Sequence, residues 1–100
     1  MTVHFNNEQV KLMEKALDKW GEVSQIGMVV EECAELIVAL QKYVNRTPKS
    51  ETVDNVIDEI ADVEIMLAAL RVILGVDDET LQKRMEEKLG RLRAMFGGGE

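Results

Sequence analysis

This chain of 100 residues is short of most of the residues that staple, kink or anchor a small protein. It has one cysteine, one proline, one histidine and four aromatic residues. The single Cys33 excludes an intramolecular disulfide, and no Cys/His spacing of the zinc type exists, so neither crosslinks nor structural zinc are expected to hold the fold. No apolar run approaches the roughly 18 residues of a membrane span, and the first residues, Met1 to Asn7, lack the basic and apolar regions of a signal peptide. A soluble, cytoplasmic protein with no membrane partner is expected. Basic residues are also scarce: 12 Lys and Arg stand against 19 Asp and Glu, a net charge of −7. A nucleic-acid polymer is therefore not the expected partner, because that binding neutralises many phosphates with a basic surface.

What the chain has instead is aliphatic residues at helical spacing. With 46% hydrophobic residues and so few aromatics, the core must be built from aliphatics and methionine, which suits helix-on-helix packing. Four helices can be placed. Asn6 followed by Gln9 forms a capping-box pattern, after which Val10, Met13, Leu17 and Trp20 recur at helical spacing until Gly21. The second helix is expected from about Ser24 to Tyr43, with Gly27 as a point that bends it or admits a close neighbour. Pro48 marks a loop over 46–50, and Ser50 or Thr52 is a candidate cap for a third helix reaching about Leu74. Gly75 fits a helix end, and Asp77-Asp78 fits the start of a fourth, with Leu81, Met85, Leu89 and Leu92 on one face and Arg84, Lys88 and Arg91 on another. The expected architecture is all-α: an antiparallel bundle of four main helices in one domain, residues 1–96, followed by a flexible Gly-rich tail, 97–100. A 100-residue chain covers only part of four apolar faces, so completion of the bundle as a homodimer or homotetramer is expected.

One acidic device appears twice. Glu31-Glu32-Cys33-Ala34-Glu35-Leu36 and Asp58-Glu59-Ile60-Ala61-Asp62-Val63 place carboxylates at the same spacing ahead of hydrophobic runs. Residues three apart share a helix face, so Glu32 pairs with Glu35 and Glu59 with Asp62. Acidic residues at helical spacing are ordinarily a solvated face. Here Glu32 and Glu59 fall at the border of the apolar arc, with no Lys or Arg one turn away, whereas Glu31 and Asp58 point outward. Four converging carboxylates repel unless a hard divalent cation sits among them, and Mg²⁺ prefers such oxygen ligands.

The pattern Glu32-x-x-Glu35 and Glu59-x-x-Asp62 in an all-helical chain resembles the MazG-type branch of the all-α nucleoside triphosphate pyrophosphohydrolases, over about Trp20 to Phe96. That resemblance implies that the four acids are catalytic and bind Mg²⁺, with Mn²⁺ as a substitute. It implies cleavage of a nucleoside or deoxynucleoside triphosphate between the α and β phosphates, giving the monophosphate and pyrophosphate. It also implies phosphate binding by a later helix, which here means Lys88 and Arg91 with Arg84 a turn earlier. Glu86 and Glu87 beside them are equally compatible with a solvated face. Lys42 and Lys49 are further phosphate candidates. Trp20 either stacks on the base or closes the core. His4 reads as a surface or packing residue, and Cys33 as a small core residue beside Leu36, Ile37 and Leu40. Two alternatives share these features: a related pyrophosphohydrolase acting on phosphoribosyl-ATP or dUTP, and a non-catalytic helical interaction module.

Overall fold

A computed structural model describes residues 5–46 and 49–97. They form four helices with no strand among the described residues: α1 (Asn7–Trp20), α2 (Glu22–Asn45), α3 (Lys49–Leu74) and α4 (Asp78–Ala94). Each boundary has a local chemical cause. The Asn6 side chain accepts from the Gln9 N–H at 2.8 Å, and the Gln9 side chain accepts from the Asn6 N–H at 2.8 Å, which satisfies two of the donors a helix start leaves free. Gly21, at φ +86°, ends α1, and α2 begins at the very next residue. The α3 end is a Schellman motif: Gly75 sits at φ +66° while the Val76 N–H reaches the Arg71 carbonyl at 2.9 Å and the Gly75 N–H reaches Val72 at 3.3 Å.

Asp77 then caps α4 by accepting from the Thr80 N–H at 2.7 Å, and hydrogen bonds to Thr80 hold its carboxyl below the usual range. Asp77→Ala should cost about 1 kcal/mol of α4 stability. Amide hydrogen exchange across the first turn of α4 should accelerate about fivefold in that variant. Unchanged exchange would show that the cap contributes nothing.

Two expectations about boundaries are corrected, and one lysine takes a role other than the phosphate contact expected of it. α2 runs unbroken through Gly27, and among the described residues no other part of the chain comes within 4 Å of the position a Cβ would take there. Ser50 and Thr52 do not cap α3, because the helix already includes Lys49; the Thr52 hydroxyl instead donates back to the Lys49 carbonyl at 3.1 Å. Lys49 is used as a helix stop. Its ammonium donates to the carbonyls of Tyr43 and of Val44 (3.0 Å) and lies 5.1 Å from the Tyr43 ring centre, placing positive charge at the negative end of α2. Thr47, Pro48, His4 and the last three residues of the tail lie outside the described residues.

α2 and α3 pair as an antiparallel hairpin: Val29 packs with Met66 and Ala69, with Met13 of α1, Cys33 and Leu70 against them. α1 leans on both partners. α4 makes no close backbone approach to any of the other three, so within one protomer three helices are packed and the fourth stands apart. Two packing expectations also change. Trp20 is 57% exposed, with the Lys19 ammonium 5.2 Å from its ring centre, and does not close the core of the protomer. Ile37 and Leu40 are exposed while Cys33 is half-buried, because the apolar arc of α2 is wider than one neighbouring helix can cover. No helix of the described residues is long and apolar enough to cross a membrane. The protomer exposes 8009 Å² and has a radius of gyration of 16.5 Å. A compact protein of this mass would expose about 5,700 Å², and its radius would be about 13 Å.

Candidate metal centre

The antiparallel pairing of α2 and α3 sets the middle of one helix against the middle of the other. Glu32 on α2 thereby meets Glu59 and Asp62 on α3, each offering a carboxylate oxygen within 4.8 Å of the others. Glu32 and Glu59 are half-buried and Asp62 is exposed. The deeper oxygens, Oε2 of Glu32 and Oε2 of Glu59, are sealed from solvent and have no hydrogen-bond partner among the described residues. A buried carboxylate oxygen left unpaired is costly, a cost that either a proton or a cation relieves.

Three of the four expected acids come together in this way; Glu35 lies outside that set of oxygens, although its charge acts on two of its members. Desolvation, followed by the charges of Glu35 and Asp62, a side-chain hydrogen bond with Glu35 and the charge of Glu59, raises the Glu32 carboxyl from 4.5 to about 7. Glu59 is raised too, first by desolvation and then by Glu35, Asp62 and Asp58. Glu35 is exposed, and it is the strongest charge acting on both half-buried acids. Glu31 and Asp58 are exposed, as their outward positions on the helices require. Beside the cluster, an open groove of about 350 Å³ is lined by Glu31, Glu35, Ala39, Lys42, Asn55 and Glu59. Lys42 therefore brings a cation to the groove. Asn55 is a groove residue that the acidic motif does not point to, although it lies one turn before Glu59 on the same face.

The remaining candidates lie elsewhere. Arg84 borders a hollow formed by its own helix, with Thr80, Lys83 and Glu87. Among the described residues Arg84, Lys88 and Arg91 make no ion pair, and the one ion pair joins Arg71 to Asp78 at 3.5 Å. A larger cavity of about 470 Å³ separates α4 from α1 and α3, lined by Val10, Met13, Ala68, Val72, Leu81 and Met85 among others, and none of the four acids borders it. Comparison of the chain with protein-family models, with curated proteins and with solved structures finds no match.

Proposed function

We propose that this chain is a Mg²⁺-dependent nucleoside triphosphate pyrophosphohydrolase, cleaving between the α and β phosphates of a nucleoside or deoxynucleoside triphosphate. The observation that carries this reading is the pair of sealed, unpartnered oxygens on Glu32 and Glu59, two acids whose carboxylates gather with that of Asp62 and feel only acidic charges. Carboxylate oxygens are the donors Mg²⁺ or Mn²⁺ takes, and an acidic site accepts a phosphate substrate only through such an ion. Glu32, Glu35, Glu59 and Asp62 would hold it. When bound, the ion neutralises phosphate oxygens and stabilises the charge that builds on the leaving pyrophosphate.

The chain's own residues supply the rest. A carboxylate of the cluster takes a proton from the attacking water as its oxygen bonds to the α-phosphorus. The bond from that phosphorus to the α–β bridging oxygen breaks, and pyrophosphate leaves with the electron pair. Lys42 in the groove and Arg84, Lys88 and Arg91 on α4 are the cations available to the β and γ phosphates, and the exposed face of Trp20 is available to a base. The working unit is a homodimer or homotetramer, since the protomer exposes far more surface than a compact chain of its mass.

Incubation with Mg²⁺ or Mn²⁺ and each common NTP and dNTP, with phosphoribosyl-ATP and dUTP in the same panel, followed by phosphorus NMR, tests the reading. The expected products are the monophosphate and pyrophosphate, formed only with the metal. Orthophosphate as the primary product, or full activity in EDTA, would sink it.

A further inference from the structure

We infer that Lys42 holds the β and γ phosphates of the substrate, so that the triphosphate tail lies in the α2–α3 groove toward the end of α2 and the nucleoside lies in the other direction, toward Met28. The inference rests on the pyrophosphohydrolase reading and adds to it a direction for the substrate and one cation for its tail.

Axial order along the hairpin sets that direction. The open groove of about 350 Å³ beside the carboxylates takes Glu31, Glu35, Ala39 and Lys42 from α2, and Asn55 and Glu59 from α3. On α2, Lys42 follows Glu35 by two turns, about 10.5 Å along the same side of the helix. On α3, Asn55 precedes Glu59 by one turn on a shared face. Because the helices run antiparallel, the step from Glu35 to Lys42 and the step from Glu59 back to Asn55 point the same way. The groove therefore leads from the carboxylate cluster toward Lys42 and Asn55, and its three acids stand at the end nearest the cluster.

The far end of the groove suits phosphate. Lys42 is exposed, and among the described residues it makes no ion pair, although three acids line the same groove. A helical side chain leans toward the N-terminus of its helix, which carries the Lys42 ammonium back toward Glu35. Asn55 adds an amide donor, and no aromatic side chain lines the groove to stack on a base. The other cations are committed or absent from it. Lys49 donates to the carbonyls of Tyr43 and Val44, and none of the α4 cations lines the groove.

In the opposite direction the surface changes character. Met28 lies two turns before Glu35 on the same side of α2 and is 42% exposed, with Gln25 Nε2 donating to its sulfur at 3.6 Å. Beyond it, α1 ends at the exposed Trp20. A thioether and an indole offer a base soft apolar contact that a phosphate cannot use. An α-phosphorus at the carboxylate cluster then stands between a cationic arm and an apolar arm, and pyrophosphate leaves on the Lys42 side.

Titration with the two products tests this direction without turnover, so its failure is distinct from failure of the hydrolysis panel. Calorimetry on the full chain in Mg²⁺ uses inorganic pyrophosphate and, separately, each common nucleoside monophosphate, with the parent, Lys42→Ala and Lys42→Arg. Lys42→Ala should bind pyrophosphate roughly 10- to 100-fold more weakly, the loss of one charge-assisted contact, and monophosphate within about twofold of the parent. Lys42→Arg should recover most of the pyrophosphate affinity, since a guanidinium also donates to phosphate. Lys42 is exposed, so neither change disturbs a packed side chain. In NMR spectra of the parent, pyrophosphate should shift the side-chain amide of Asn55 and monophosphate the methyl of Met28. Equal losses for both ligands, a loss confined to monophosphate, or parental pyrophosphate affinity in Lys42→Ala would overturn the inference. So would a parent that binds no pyrophosphate, or a Met28 methyl that responds only to pyrophosphate.

Discussion

Glu32→Gln and Glu59→Gln should each abolish hydrolysis while leaving the metal-free protein at least as stable as the parent. The two halves of that expectation have one cause. Each glutamate is half-buried with a sealed, unpartnered oxygen among like charges, so its carboxylate is held in place against its own preference. Glutamine keeps the shape and removes the charge, which relieves the repulsion from Glu35 and Asp62. Removing a metal ligand should lower turnover by at least about 100-fold, a loss that even the outer hydrogen-bond partner of a metal ligand can cause. Thermal melting in EDTA should then place both variants level with or above the parent, as expected where a site trades stability for activity. Addition of Mg²⁺ should raise the melting temperature of the parent and leave the variants nearly unmoved. If both variants melt well below the parent in EDTA, the glutamates are structural and the metal reading falls.

Much of this site was legible because its information is local. Two x-x-spaced acid pairs at the edge of apolar arcs need only the helical period to define their face, and an antiparallel hairpin with a short connection does the rest. The caps were legible for the same reason: Asn6 with Gln9, Gly75, and Asp77 all act within four residues of themselves. Ser50 and Thr52 show where local reasoning misleads. Either side chain suits a cap, but the helix starts earlier, and the Thr52 hydroxyl turns back to a carbonyl inside the first turn. Lys49 reads in the sequence only as a phosphate candidate, and its role at the end of α2 depends on that end lying beside the start of α3.

What sequence pattern did not disclose is how apolar faces are distributed between neighbours. Ile37 sits on the same broad arc as Cys33, yet one is exposed and the other half-buried, because α3 covers only one side of that arc. Likewise Leu81, Met85, Leu89 and Leu92 give α4 a good amphipathic pattern, but periodicity shows only that a helix has a face to bury. It does not say whether the partner is in the same chain. In the protomer α4 stands apart, and Arg84, Lys88 and Arg91 travel with it, away from any ion pair with the acids.

The acidity of Glu32 makes stability and metal binding move in opposite directions with pH. In the folded, metal-free protein its carboxyl is raised from 4.5 to about 7, chiefly by desolvation and then by Glu35 and Asp62, and Glu59 is raised in the same direction. Between these values the folded state holds protons that the unfolded chain has released. Stability must therefore fall as pH rises across that window, and level off above about 7. Asp77 has the opposite sign, since its lowered carboxyl contributes stability that is lost only in acid, below 3.8, outside the window. Metal binding runs the other way, because ligands must lose their protons before a cation can use them, so Mg²⁺ affinity should climb up to about pH 7 and then flatten. In EDTA the melting temperature should drop between about pH 5 and pH 8, excess Mg²⁺ should restore it most at the alkaline end, and Glu32→Gln should flatten both trends. Melting curves across that range, with and without Mg²⁺, provide the check. A parent whose metal-free melting temperature is the same at both ends, or whose Mg²⁺ stabilisation is greatest at pH 5, would show that these carboxylates are neither forced together nor shared by an ion.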